Sequence, residues 1–405
     1  MKRIGKTMNA YFIIFLFIPF LSGCWDSIDI EKRGTVLAIA IDKVETDENE
    51  DYITHFPKSQ IGSADEMIRI TAQVSVPGRI PLGPESTGGG EDQEPVWVLD
   101  AIGHTLEDAL FNLQQELADE LFLGHLRIIV ISEEVAKEGI ERFNDYLRRQ
   151  PEVRRTTWLV VSKERAADYM EIAPKLERVP ALYLKSMVQK GVDLGKFPYD
   201  DIGIFWRALS SKGQDGYLPY LQIKDKENVQ IKGLAYFKEN KMLGTIDPIE
   251  IGLFMAVIGE SEGGYGSFIK IPDAEEMVLV EAVKRKSRIK TTIKDGKPEI
   301  HIKVRYESEI GEKTNEKTPI NDSKIIRKIE QVASEETKNS LNRLIKKMQE
   351  EGTDIFGFGE YVRAKQPRFW NETVKTKETW NSIFKDINVH VEMDTHIRRV
   401  GMKDQ

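Results

Sequence analysis

The 405-residue chain has one cysteine, Cys24. A single thiol cannot close a disulfide within the chain and cannot build a cysteine metal centre. The chain also lacks H-E-x-x-H, G-x-S-x-G, a Walker A loop and an EF-hand loop, so no sequence motif argues for zinc proteolysis, serine hydrolysis, nucleotide binding or calcium binding. Positive charge is in deficit: 58 Lys and Arg stand against 66 Asp and Glu, a formal charge of −8. Nucleic acid is a poor partner for such a balance, because phosphates are neutralised by basic patches. After residue 23 there is no apolar run of the roughly 20 residues that a membrane-spanning helix needs. Ordinary apolar cores must hold the rest of the chain together, and its length suffices for two or three domains.

What is present begins at the N-terminus. Lys2, Arg3 and Lys6 precede an apolar run from Tyr11 to Leu21. Eleven helical residues rise about 16 Å, roughly half of a bilayer's hydrocarbon core. The run therefore reads as the apolar part of a secretory signal, residues 1–23, and not as a span. Leu21-Ser22-Gly23-Cys24 places small residues just before the lone cysteine. That order suits a bacterial lipoprotein, whose thiol is diacylated before the signal is cut. Two acyl chains anchor stably where one does not. Cleavage removes three positive charges and takes the formal −8 to −11, which argues against a polybasic second anchor.

Along the mature chain, residues 24–33 read as a polar tether. Gly34–Asp42, Arg127–Ser132 and Thr157–Ser162 are continuous apolar runs of buried-strand length, and Ile68–Val76 alternates. A short strand is expected near Val96–Val98. Helices are expected over Thr105–Leu117, Glu133–Arg149 and Lys163–Ile172. Strands alternating with helices give an α/β first domain, residues 34–195. Pro77–Pro95, with Gly88-Gly89-Gly90, reads as an exposed loop. A helix over Leu182–Lys190 is expected near the end of the first domain, and a middle domain, 196–262, would hold a helix over Asp200–Leu209. It would continue with a hairpin turning at Glu239-Asn240 and a helix from Asp247, with Pro248 at its first position. The last domain, 263–401, would contain strands Met277–Lys284, Ser287–Lys294 and Glu299–Ile310, with a tight turn at Asp295-Gly296. The long helix Asp322–Glu351, stopped by Gly352, would follow, then a helix within Arg368–Phe384 and a strand Ile387–Arg398. The fold class is thus mixed α/β (α+β) in three domains.

The search for chemistry returns little. His390, Glu392, Asp394 and His396 share one face of a strand. Neighbours at i, i+2 on a strand lie about 6.6 Å apart, too far to share an ion unaided. With apolar Val389, Val391, Met393 and Ile397 on the other face, the run reads as a solvated strand face. Gly357-Phe358-Gly359 follows a helix, not a strand, and Val362 stands where a third glycine would be. It reads as a turn with Phe356 and Phe358 packed inward, and not as a dinucleotide fingerprint. Ser287-Arg-Ile-Lys290 and Ser382-Ile-Phe-Lys385 match S-x-x-K without its companion motifs. No catalytic residue, cofactor or metal site is expected, and the chain is read as a non-enzyme.

Several segments together resemble the Ger(x)C family. They are Gly23-Cys24-Trp25-Asp26 with the strand Val36–Asp42, Gly124–Glu134, and Gly233-Leu234-Ala235-Tyr236-Phe237-Lys238 with Met242-Leu243-Gly244. The most specific is Asp354-Ile355-Phe356-Gly357-Phe358-Gly359, followed by Trp370, Trp380 and Ile397-Arg398-Arg399-Val400-Gly401. These are C subunits of spore nutrient germinant receptors. The resemblance implies a lipoprotein at the outer face of the spore inner membrane, acylated on Cys24. It implies assembly with the integral membrane subunits A and B, a three-domain mixed fold and no assigned enzymatic activity. Two other readings of the residues stay open: a solute-binding lipoprotein of the envelope, and an envelope hydrolase, which needs a carboxylate pair or a metal site in a cleft.

Overall fold

The computed structural model describes residues 33–44, 67–79, 94–172, 177–225, 228–260, 263–272, 274–314, 320 and 322–399, the side chain of Arg399 apart. The signal segment, Cys24, all of the expected tether but Arg33, and most of the glycine-rich loop lie outside the described residues. Arg33 already belongs to the first strand.

Nine strands form one sheet. They are β1 (Arg33–Lys43), β2 (Ile68–Ser75), β3 (Val96–Gly103), β4 (Glu120–Phe122), β5 (Ile128–Ser132), β6 (Trp158–Ser162), β7 (Tyr217–Asp225), β8 (Asn228–Lys238) and β9 (Lys241–Ile246). The order is β3-β2-β1-β5-β6-β7-β8-β9, with the short β4 paired to β1. The central pairs β1/β5, β5/β6 and β6/β7 and the short β1/β4 pair are parallel, and the remaining pairs are antiparallel. Parallel strands covered on both faces need apolar residues on both, which is why β1, β5 and β6 read as unbroken apolar runs. Ile129, Ile131, Leu159 and Val161 enter one core, while Ile128, Val130, Trp158 and Val160 enter the other.

One face carries α1 (Leu106–Gln114), α2 (Glu133–Glu138), α3 (Glu141–Arg149) and, after α4 (Pro180–Asp193), also α5 (Ile202–Ser210). The other face takes α4, α6 (Pro248–Ile258) and most of the C-terminal part of the chain. The sheet crosses the boundary expected at 195/196. Strands β7–β9, assigned from sequence to a middle domain, extend the first sheet through Val161↔Tyr220 and Ser162↔Leu221.

A second sheet has the order β10-β11-β12-β13, from Gly266–Lys270, Met277–Lys294, Lys297–Lys313 and Asn388–Arg399. Asp295 and Gly296 both take positive φ, 51° and 73°, as the two-residue turn between β11 and β12 requires. The helix α7 (Ser323–Glu351) crosses this sheet, and Gly352 ends it at φ 66°. Leu341, Leu344, Ile345 and Met348 share a core with Ile300, Ile302 and Val304 of β12. After α7 come α8 (Phe358–Lys365), a π-helical turn at Trp370–Val374 and α9 (Lys377–Phe384).

Three local expectations are corrected by tertiary contacts. Glu133–Arg149 is two helices, because Gly139 adopts φ 130° and the Ile140 amide donates to Asn240 O of the β8–β9 turn. Lys163–Ile172 is only a 3-10 turn over Ala166–Met170, capped by the buried Asp42 carboxylate on the Ala166 and Ala167 amides. The two strands expected across 277–294 are one, with the polar Lys284-Arg285-Lys286 inside it; the Arg285 guanidinium is buried and donates to Gly252 O. The helix expected within Arg368–Phe384 is α9, which begins after Lys375 with its φ of 62°. The hairpin turn at Glu239 and the Asp247 capping box with Pro248 occur where the residues place them.

Candidate functional site

The segment that follows α7 is where the two sheets are locked together. Gly352 turns the chain into αL, and Thr353 Oγ1 donates to Phe237 O of β8 at 2.8 Å. Asp354 comes next and is fully buried. Its amide donates to Asp215 Oδ2 at 2.9 Å, and its carbonyl accepts the Asp215 amide at 2.8 Å. Its own Oδ2 accepts from the Gly359 amide at 2.8 Å and from Trp380 Nε1 at 2.9 Å. Asp215 is equally buried, and its Oδ1 lies 3.0 Å from Lys377 Nζ at the start of α9.

Two glycines make the approach possible. A Cβ on Gly359 would meet Trp380 Nε1 at 2.5 Å and Gly213 Cα at 2.6 Å. A Cβ on Gly213 would meet the Gly359 carbonyl carbon at 2.3 Å. Glu360 closes the contact from outside: its Oε1 accepts from the Gly213 amide at 2.9 Å and from Ser211 Oγ. Around this polar clasp the aromatic rings stack. Phe356 lies on Phe358 with centroids 5.0 Å apart, and Trp380 sits between Trp370 and Phe384. Phe356 and Phe358 point inward, as the turn reading has it.

Burial pushes the Asp354 carboxyl up to about 7, helped by the Asp215 charge and opposed by donors from Gly359, Trp380 and the Phe358 amide. A buried acid near neutrality is what proton-transfer chemistry uses. Here, however, Asp354 and Asp215 are both fully buried. The nearest open groove, about 500 Å³ between Ser211, Lys212, Glu239, Asn240 and Thr376, touches Lys377 but neither aspartate. The arrangement can hold two segments together, and it offers a substrate no path to either carboxyl. Sequence reasoning missed Asp215, Gly213 and Lys377. The only available signal was an aspartate standing alone before the apolar Ile355-Phe356.

The polar face of β13 lies elsewhere. His390, Glu392, Asp394 and His396 are all exposed, and the alternate residues turn inward, as their alternation predicts. Parallel pairing with β12 sets His390 opposite His301. The two rings stack with centroids 4.8 Å apart, and Glu299 Oε2 lies 3.8 Å from His301 Nε2. One ligand atom from each of Glu299, His301 and His390 lies within 4.8 Å of the others. No described helix is long and apolar enough to cross a membrane.

Two mixed sheets, joined by a buried aspartate clasp built around Asp-Ile-Phe-Gly-Phe-Gly, define a two-part mixed α/β protein. Two family profiles match it in order. "Spore germination protein N-terminal domain" matches residues 26–223, and "Spore germination B3/ GerAC like, C-terminal" matches 232–401. The chain belongs to the Ger(x)C family of spore germination proteins. Spore germination protein KC of Bacillus subtilis (strain 168) is 24% identical over 97% of this chain and 95% of its own length. GerQC of Bacillus cereus is 25% identical over 78% of this chain and 86% of its own. The crystal structure of the GerBC protein is 17% identical and superposes with a TM-score of 0.52, covering 89% of this chain and 96% of that one. It supports the fold. The clasp pairs residues 211–215 of the first matched region with residues 354–380 of the second.

Proposed function

We propose that this protein is the lipid-anchored C subunit of a spore nutrient germinant receptor. It is acylated on Cys24, held at the outer face of the spore inner membrane, and assembled there with the two integral membrane subunits A and B. The observation that carries the reading is the ordered match of both family regions over nearly the whole chain, directly behind a basic and then apolar segment that ends in Ser22-Gly23 before Cys24. The body acts by linkage and not by catalysis. In support, the Asp354–Asp215 pair is buried and engaged in holding the two matched regions together. The lipid keeps that body beside its membrane partners.

Cys24→Ala tests the anchor. The expected result is a folded body that leaves the membrane fraction of disrupted spores, with nutrient-triggered germination impaired. Co-purification from spore membranes tests the assembly, with A and B expected to accompany the wild-type chain. Membrane retention together with normal germination in the variant would overturn the anchor. Recovery of the chain without A and B would overturn the assembly.

A further inference from the structure

We propose that Glu299, His301 and His390 form a zinc-binding site on the solvent face of the second sheet. One strand alone cannot build it, since its same-face neighbours are about 6.6 Å apart. Two parallel strands in register can. Neighbouring strands lie about 4.8 Å apart, and the β12/β13 register sets His301 directly beside His390. Glu299 is two residues before His301 on the same face, and its side chain is 13% exposed, held in against the sheet. The backbone therefore fixes three ligands of two chemical kinds, two imidazoles and a carboxylate.

The distances suit a site before its ion. Ligands about 2.1 Å from a tetrahedral zinc lie about 3.4 Å from one another. Here the three ligand atoms lie within 4.8 Å of one another. Closing that gap takes roughly an ångström of movement per side chain, which small χ rotations, chiefly of the two exposed histidines, supply. Imidazole with carboxylate selects a first-row divalent ion over calcium or magnesium, which prefer all-oxygen ligands. With three protein ligands, the fourth position of a tetrahedral zinc faces water.

The charges nearby are compatible. Lys294 Nζ is 3.7 Å from Glu299 Oε1, and its exposed side chain can swing into solvent when an ion takes that oxygen. Lys303 is already paired with Glu392 at 3.3 Å. Lys290, opposite His301 on β11, opposes a cation.

The test is zinc titration of the full chain in detergent, after chelator treatment, against a chromophoric indicator. The wild type should take up zinc saturably at one high-affinity site, and zinc should raise its melting temperature. His301→Ala and His390→Ala should each weaken binding about ten-fold or more, since losing a direct ligand costs at least what losing a supporting contact does. Glu299→Gln should weaken it too. His396→Ala, on the same strand but paired with Glu330, should not change it. The replaced histidines are exposed, so zinc-free melting should match the wild type. Should an alanine variant melt lower, His301→Gln and His390→Gln replace it. No saturable uptake by the wild type would overturn the proposal. So would equal affinity in the variants, which would mean the ion sits elsewhere on this acid-rich chain.

Discussion

The molecule has two polar clusters that the fold treats in opposite ways. Around Asp354 and Asp215, donors and acceptors come from segments 139 residues apart and are sealed from water. Around His301 and His390, the groups come from adjacent strands and stand in solvent. In the first cluster pairing is obligatory, because an unmatched buried polar group costs about 1–3 kcal/mol. In the second it is optional, because water satisfies whatever the protein does not. The first is therefore part of the fold, and the second is free to bind.

Removing Asp354 breaks the contrast most sharply. Asp354→Ala strands the Gly359 amide and the Trp380 indole and leaves a small void, and should cost about 3–5 kcal/mol in chemical denaturation. A loss below about 1 kcal/mol would mean that the clasp is incidental.

Acidity sharpens the same point. Burial first, then the Asp215 charge, raises the folded-state Asp354 carboxyl to about 7 from the ordinary 3.8. Between those values the folded state binds a proton that the unfolded state lacks. This group's contribution to stability therefore falls as pH climbs from about 4 to about 7, and levels off above. The stability advantage of the wild type over Asp354→Asn should shrink across that window, by at most about 4 kcal/mol. A constant gap would place the titration elsewhere.

Steric closeness gives a smaller effect. Gly359→Ala forces a Cβ within 2.6 Å of Gly213 Cα, and should cost about 1–3 kcal/mol in the same measurement. The smallest change belongs to the exposed cluster. His301→Ala should leave stability within about 0.5 kcal/mol while its effect appears in metal uptake. A large destabilisation there would show that the histidine pair is structural.

Much of the local structure was legible. Period-two and continuous apolar runs located β1, β2, β5 and β6. Asp247-Pro248, Gly352 and Asp295-Gly296 marked a helix start, a helix stop and a turn because their backbone chemistry is local. Failures came where a distant partner overrode a neighbour. The β8–β9 turn breaks a helix at Ile140, and Asp42 caps the start of a short 3-10 turn where a longer helix was expected. Arg285 fell in the gap between two expected strands, yet it lies within one strand and its guanidinium is buried against α6. The short strands β4 and β10 carry too few apolar residues to register.

The sequence by itself determined the order of most elements and the family motif, since each depends on residues within a few positions of one another. Tertiary structure alone decided that one sheet runs through both matched regions, that Asp354 meets Asp215, and that His301 stands beside His390. Those facts depend on strand order and register. The periodicity of a strand says which face a side chain takes, but not which strand lies next to it.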